Sequence, residues 1–166
     1  MLFLRKERRR AFVPNDYHAE ITLPIPALKL YHSVSTEEGV RSWWTVFTKL
    51  EHEVGGTAEF RFPKAGFYVK AEITELVPNQ LVEWKVIDSL HPESSGFQSL
   101  RDWEGTVIRF EIQSVTEKVS VLQFTHVGLN EELECFDACQ RGWTSYLTSL
   151  QNLVVSGKGT PYKEEY

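Results

Sequence analysis

His126 is the residue whose type and position most directly offer acid–base chemistry. It follows Leu122 and Phe124 in a segment where apolar and polar residues alternate, so the three side chains share one face of a predicted strand. An imidazole has an unperturbed pKa of about 6.5, which suits it to transfer a proton near neutral pH. Two interpretations stay open: a hydrogen-bonded core histidine, and a cavity group that orients or protonates a ligand.

Asp102 and Glu104 are the candidate carboxylates. Glu104 lies in the segment Trp103-Glu104-Gly105-Thr106, where a long loop is predicted to re-enter the sheet, so it is a candidate for the mouth of a cavity. Hydrolysis by paired carboxylates needs a second acidic group that converges on the first, and Asp102 is expected on the opposite side of the chain. We therefore favour a solvated Glu104.

Cys135 and Cys139 lie four residues apart in a predicted helix, so they cannot link distant parts of the chain as a disulfide. A structural zinc site normally has four ligands with paired short spacings, and no such set is visible. We expect buried free thiols, no metal, no cofactor and a reducing cytoplasmic location. The sequence also lacks a phosphate-binding glycine loop, a Gly-x-Ser-x-Gly elbow and a His-Glu-x-x-His motif, and we assign no catalytic residue.

A set of large side chains is predicted to face inward from the sheet and from the helix that covers it. Aromatic rings with a few polar groups, such as the Tyr146 hydroxyl, are typical of apolar ligand pockets. We expect the following residues to line a ligand cavity: Trp44, Phe60, Phe62, Trp84, Trp103, Phe110, Phe124, His126, Trp143 and Tyr146. The pattern leaves open whether this space is filled or hollow.

The elements that would position these residues follow from periodicity. A strand is predicted at residues 19–25, a short helix at 27–33, and a second short helix after the capping pair Ser35 and Glu38. From residue 48 to 87 apolar residues recur at every second position, and turn residues interrupt the pattern. This indicates a meander of hairpins. Residues 89–100 have no clear period and are predicted to form a mobile loop, after which two more strands follow.

The last element is a long amphipathic helix. Asn130 is a suitable N-cap, with Glu131, Glu132 and Glu134 in the first turn, and Gly157 supplies the stop. At about 1.5 Å per residue the helix would span roughly 40 Å and cross a whole sheet. The pattern predicts an α+β fold in which a curved antiparallel sheet of six to seven strands wraps a long C-terminal helix.

Length and charge limit the class of protein. The 166 residues fit one domain, expected at 19–161, with a basic tail at 1–18 and a short tail at 162–166. The net charge of -5 argues against nucleic acid as a partner, and no segment approaches the about 20 apolar residues of a transmembrane helix. The basic residues near the N-terminus are interpreted as a solvated tail, with contact to an anionic surface as the alternative.

Several short segments together resemble the homologues of the activator of the 90-kDa heat-shock-protein ATPase, within the START, SRPBCC and birch-pollen-allergen superfamily. They are Glu38-Gly39, Trp43-Trp44-Thr45, Val54-Gly55-Gly56, Phe60-Arg61-Phe62, Trp103-Glu104-Gly105-Thr106, Phe124-Thr125-His126, Gly142-Trp143, Tyr146-Leu147 and Gly157-Lys158-Gly159-Thr160-Pro161. The resemblance implies a helix-grip fold with β-α-α-β6-α topology, an internal cavity between the sheet and the long helix, and hydrophobic small molecules as ligands. This sequence departs from the family pattern in two places: it has an insertion at 89–100, and it has Leu129 where many relatives have tryptophan.

Three hypotheses for function follow. The leading one is a non-enzymatic protein that binds a small hydrophobic or aromatic molecule in a cavity between the sheet and the C-terminal helix. The second is a cyclase- or hydrolase-like enzyme that uses His126 as acid or base. The third is a module that contacts a chaperone; it is weaker because the founding members rely on an N-terminal domain that does not match any part of this sequence. A homodimer is compatible with each of them.

Overall fold

A computed structural model describes residues 15–164 of the chain, so most of the predicted basic tail lies outside the described residues. Seven strands form one antiparallel sheet in the order β1-β7-β6-β5-β4-β3-β2, which confirms the predicted α+β helix-grip fold. The elements are β1 Tyr17–Leu23, α1 Ala27–Ser35, α2 Glu37–Arg41, β2 Thr48–Leu50, β3 Thr57–Phe62, β4 Phe67–Val77, β5 Leu81–Leu90, β6 Val107–Thr116, β7 Val119–Val127 and α3 Phe136–Ser156. Within the described range, no helix is long and apolar enough to cross a membrane.

Alternation along the strands gives the sheet one buried face. In β3, Ala58, Phe60 and Phe62 are buried while the residues between them are exposed or half-buried. The pairing of β4 with β5 shifts register between Lys70 and Ala71 and again between Ile73 and Glu75. Such bulges bend a strand and increase its twist, so they contribute to the curvature that wraps the sheet around α3.

Helix α3 begins later than the sequence predicts. The Asn130 side chain does not cap it: Asn130 Oδ1 accepts from the backbone N–H of Glu132 at 3.0 Å, and Nδ2 donates to Asp16 at 2.9 Å. Asn130 therefore closes a turn, and the helix starts at Phe136. Its 21 residues span about 31 Å rather than about 40 Å. The predicted stop is confirmed, since Gly157 caps the helix with a φ of 81°.

The start of α2 also differs by one residue. Thr36, not Ser35, is the N-cap, because its Oγ1 accepts the backbone N–H of Gly39 at 3.0 Å. Ser35 belongs to the last turn of α1. Only Ser35 has a glutamate three residues later, but serine and threonine are both favoured N-cap residues, and the fold selects Thr36.

Six rings, which we call the aromatic cluster, fill the space between the sheet and α3. Each ring in the cluster contacts the next around a closed circuit, with centroids 4.4 to 5.2 Å apart. No member is more than 2% exposed. The members, in order around the circuit, are Trp44, Phe60, Trp84, Phe110, Phe124 and Trp143. The centre of the protein is therefore a packed core.

Tyr162 belongs to the folded domain, although the sequence placed it in the C-terminal tail. Its backbone N–H donates to the Trp44 carbonyl at 2.8 Å, and its carbonyl accepts from Val46 at 2.9 Å. Its hydroxyl oxygen accepts the backbone N–H groups of Lys64 at 2.7 Å and Ala65 at 3.1 Å. These bonds fix the turn that follows β3. At the other end, β1 starts at Tyr17, two residues before the predicted strand.

Candidate functional site

A partly open pocket of about 500 Å³ lies beside the packed core, where the N-terminal half of α3 meets the turn between β3 and β4 and the segment that joins β5 to β6. Most of its lining is apolar or aromatic, which is the usual character of a small-molecule site. The lining residues are Trp44, Phe62, Ala65, Phe67, His91, Pro92, Ser95, Phe97, Trp103, Ala138, Cys139, Gly142, Trp143, Tyr146 and Tyr162.

The ten residues predicted to line a cavity fall into two groups of five. Trp44, Phe62, Trp103, Trp143 and Tyr146 line the pocket. The other five are fully buried in the core behind it, where their own packing fills the space: Phe60, Trp84, Phe110, Phe124 and His126. The sequence therefore identified large side chains that face inward from strands, the long helix and connecting segments, and ring packing decided which of them remain accessible.

His126 is held by a continuous chain of hydrogen bonds. Trp143 Nε1–H donates to His126 Nδ1 at 3.0 Å. On the other side, His126 Nε2 lies 2.8 Å from Thr106 Oγ1, whose hydroxyl donates to the Trp103 carbonyl at 2.6 Å. Because the Thr106 proton is used in that bond, Nε2 is the protonated nitrogen and the ring is neutral.

Burial reinforces this protonation state. His126 is 0% exposed, and desolvation lowers its pKa to about 3. Both ring nitrogens are engaged, one as acceptor and one as donor. The residue therefore has the features of the hydrogen-bonded core histidine, and it positions the indole of Trp143, which forms the inner wall of the pocket.

Small residues on α3 create the open volume. Ala138 and Gly142 are one turn apart on the face that lines the pocket, between the larger Cys139, Trp143 and Tyr146. A Cβ atom built on Gly142 meets no other atom within 4 Å. Glycine is unfavourable in a helix interior, so its presence here leaves space that a larger side chain would occupy.

The segment 91–103 forms the outer wall, and its contacts hold it against the domain. The backbone N–H groups of Gln98 and Ser99 donate to the Glu134 carboxylate at 2.9 and 3.1 Å. His91 N–H donates to the Leu100 carbonyl at 2.7 Å, which closes the base of the segment. Glu134, predicted to interact with the helix dipole, instead anchors the wall of the pocket.

The polar groups of the lining are few. The Tyr146 hydroxyl lies beside Tyr162 in a half-buried position, and burial raises the pKa of Tyr146, so the hydroxyl is a proton donor at neutral pH. Glu104, considered as a carboxylate at the cavity mouth, is exposed and lies 3.8 Å from Arg101. It is the solvated residue that the sequence favoured.

A second polar group of side chains adjoins the pocket. His91 Nε2 and Asp102 Oδ1 are 2.9 Å apart, and both side chains are at most 7% exposed. His91 also interacts with Cys135. One ring nitrogen of His91 and the sulfurs of Cys135 and Cys139 all lie within 4.8 Å of one another. Both cysteines are free thiols. We call these four residues the thiol–histidine cluster.

Electrostatics within the thiol–histidine cluster favour a charged His91 beside neutral thiols. Burial lowers the pKa of His91, but the hydrogen bonds to Asp102 and Cys135 outweigh burial and raise it to about 9. The contact with Cys139 and burial both raise the pKa of the Cys135 thiol. Asp102 lies on the opposite side of the chain from the exposed Glu104, as the sequence predicted. The sequence did not identify His91, because only the folded chain brings His91 and Asp102 to the cysteines.

A curved antiparallel sheet that wraps one long helix, with a pocket beside that helix, defines a helix-grip protein. The family model described as "Activator of Hsp90 ATPase homolog 1-like protein" matches residues 24–155. The chain belongs to this family, as the sequence resemblance indicated.

Solved structures give the same fold. The Aha1 dimer of Colwellia psychrerythraea is 28% identical, with a TM-score of 0.70 over 87% of this chain and 98% of that chain. SSP2350 of Staphylococcus saprophyticus is 14% identical, with a TM-score of 0.66 over 87% and 95%. PFC0360w of Plasmodium falciparum, an HSP90 activator, is 18% identical, with a TM-score of 0.61 over 86% and 96%. No curated protein sequence matches the chain significantly.

Proposed function

We propose that the protein binds a small apolar or aromatic molecule in the pocket formed by α3, the turn after β3 and the segment 91–103. The observation that carries this proposal is the lining itself, about 500 Å³ of space bounded mostly by aromatic and aliphatic groups. Burial of apolar ligand surface there contributes roughly 25 cal/mol per Å². The packed aromatic cluster behind the pocket supports a rigid, preformed inner wall.

The arrangement favours an elongated or flat ligand with one polar end. Trp103 and Phe67 meet edge to face, with centroids 5.2 Å apart, on one side of the pocket. Tyr146 supplies a hydroxyl donor within the same lining. A ring or chain would pack against the indoles, while its polar end accepts a hydrogen bond from Tyr146.

The alternative of a cyclase- or hydrolase-like enzyme rested on His126. That role requires a nitrogen that reaches the ligand, whereas His126 uses both nitrogens in bonds to Trp143 and Thr106. Ligand binding without a reaction that uses His126 is therefore the function that the geometry supports best.

A matched pair of variants tests the proposal. Gly142→Leu places a branched side chain in the open space of the pocket, whereas Gly142→Ala adds one methyl group at the same position. Thermal shift and native mass spectrometry with fatty acids, sterols and aromatic metabolites should find a ligand that stabilises the wild type and the Ala variant. Stabilisation should be lost in the Leu variant. Equal binding by all three proteins, or no stabilising ligand in the whole set, would reject this pocket as the binding site.

Self-association is a further part of the proposal. The Colwellia relative is described as a dimer, and its identity and coverage support the same state for this chain. Analytical ultracentrifugation of the full chain should then give twice the 19.2 kDa of one chain. Contact with a chaperone stays a prediction, because the relative described as an HSP90 activator shares only the fold at 18% identity.

A further inference from the structure

The thiol–histidine cluster contains three groups that commonly bind metal ions. Cys135 and Cys139 supply two sulfurs and His91 supplies one nitrogen, all within 4.8 Å of one another. In a tetrahedral zinc site with Zn–S of about 2.3 Å and Zn–N of about 2.0 Å, ligand atoms are about 3.6 to 3.8 Å apart. The ligand atoms would need to move about 1 Å closer together to reach that geometry.

The position of Asp102 provides an independent argument. Its carboxylate accepts from His91 Nε2 at 2.9 Å, which leaves Nδ1 as the nitrogen for the thiols. Histidines that bind metals almost always donate their other ring N–H to such an acceptor, which fixes the ring. Among the described residues, Asp102 Oδ2 is buried without a hydrogen-bond partner, so this carboxylate keeps an unused acceptor beside the cluster.

A bound divalent cation would stabilise the thiolate forms of the two sulfurs, which are neutral thiols without it. Cys135 is the residue before the first turn of α3 and Cys139 lies within that turn, so both are at the positive end of the helix dipole. Trp103 Nε1–H donates to Cys139 Sγ at 3.3 Å. Metal binding would release three protons to solvent, one from each thiol and one from the charged His91. The two thiolates would then balance the two charges of a divalent cation.

We infer that Cys135, Cys139 and His91 bind Zn²⁺ with a fourth coordination position that faces the pocket, and that Asp102 positions His91. His91 and Cys139 are lining residues of the pocket, so a ligand held there would have direct access to the metal. Three protein ligands and one exchangeable position are the pattern of zinc sites that bind a substrate or water. This site goes beyond the proposed function, because metal binding does not require the apolar ligand.

Cobalt(II) is the probe for this site, since thiolate and tetrahedral coordination give it characteristic absorption. Full-length protein without a histidine tag should be stripped of metal, reduced, and shown to have two titratable thiols. We expect one Co²⁺ per chain, with thiolate-to-cobalt charge-transfer and tetrahedral d–d bands that Zn²⁺ abolishes. Absence of the thiolate band in this reduced protein would overturn the inference.

Four variants identify the ligands. Cys139→Ala and His91→Gln should lose the bands, while His32→Gln, a change at an exposed histidine of α1, should keep them. Cys139→Ala is expected to fold, because Cys139 is half-buried and alanine favours a helix. Asp102→Asn should weaken Co²⁺ binding about 10- to 100-fold with an unchanged spectrum. Bands that persist in Cys139→Ala would reject this ligand set.

Azide tests the open position. It should shift the visible bands of the cobalt-loaded wild type and leave those of Gly142→Leu unchanged, because the leucine occupies the pocket. If azide has no effect on the wild type, or the same effect on both proteins, the fourth position does not face the pocket. The cobalt measurements do not depend on the apolar ligand screen. A negative screen would therefore reject ligand binding without rejecting the metal site, and absent cobalt bands would reject the metal site without rejecting ligand binding.

Discussion

Trp143 Nε1–H donates a 3.0 Å hydrogen bond to Nδ1 of His126, and both residues are at most 2% exposed. The bond joins α3 to β7 at the inner wall of the pocket. A buried acceptor that loses its donor costs about 1 to 3 kcal/mol. Among the described residues, the indole nitrogen of Trp84 is also buried but has no hydrogen-bond partner, which makes Trp84 a matched control.

Trp143→Phe should therefore destabilise the protein by about 1 to 3 kcal/mol more than Trp84→Phe. Both changes remove the same volume from the aromatic cluster, but only the first leaves His126 Nδ1 unpaired. Urea unfolding at pH 7 measures the difference. Equal losses of unfolding free energy would show that the Trp143–His126 bond does not contribute net stability.

His126 should make stability depend on pH on the acid side. Its pKa is about 3 in the folded protein and about 6.5 in the unfolded chain, so below pH 6.5 the unfolded state gains a proton that the folded state does not take. The contribution of His126 to the free energy of unfolding is fully present above pH 6.5. It falls by about 2 kcal/mol between pH 7 and pH 5. Urea unfolding across this range measures the slope.

His126→Gln is the control for that slope. The variant should be less stable at pH 7, because glutamine cannot reproduce both bonds of the ring, yet its stability should change less between pH 7 and pH 5. A slope as steep as that of the wild type would assign the acid sensitivity to other groups.

Gly142→Ala should raise the free energy of unfolding by about 0.5 to 1 kcal/mol. Alanine restricts the unfolded chain and favours the helix, and its methyl group meets no atom within 4 Å. Thermal unfolding measures the gain. A loss of stability would mean that the space at Gly142 is closed in solution, which would also count against the pocket.

Glu134→Ala should loosen the outer wall of the pocket. The carboxylate accepts from the backbone N–H groups of Gln98 and Ser99, and alanine leaves these donors to solvent. Hydrogen exchange should accelerate at these two amides, while Glu131→Ala, a change at an exposed neighbour, should leave it unchanged. Identical exchange in the two variants would exclude Glu134 as an anchor.

Local sequence was sufficient for the architecture. Alternation placed Phe60 and Phe124 on the inward face of the sheet, and the apolar stripe with Gly157 identified α3, because each signal depends on neighbours within a few residues. The predicted start of α3 was wrong, because the true start depends on a contact between residues that are far apart in the sequence. Asn130 has the side chain of an N-cap, but its bond to Asp16 joins residues 114 positions apart, and no local pattern encodes it.

The candidate functional site was harder to predict from the sequence, because it also depends on contacts between distant residues. Tyr146 was identified by its residue type and helix face, and Trp103 by its position in the segment 103–106. His91 has no periodic context and reaches Cys135 only through the folded connection between β5 and β6. Whether an inward ring is packed or exposed to a pocket depends on three-dimensional complementarity. That distinction separated Trp103 from Phe110, although both were predicted as lining residues.

All five tryptophans of the chain belong to one contact series. Trp43, Trp44, Trp143 and Trp103 follow one another with centroids 4.9 to 6.1 Å apart, and Trp84 joins at Trp44 with 6.1 Å. Excitation energy passes readily between indoles at such distances. The series ends at Trp103, beside the Cys139 sulfur in the pocket wall. Intrinsic fluorescence of the unmodified protein should therefore change when a ligand contacts Trp103.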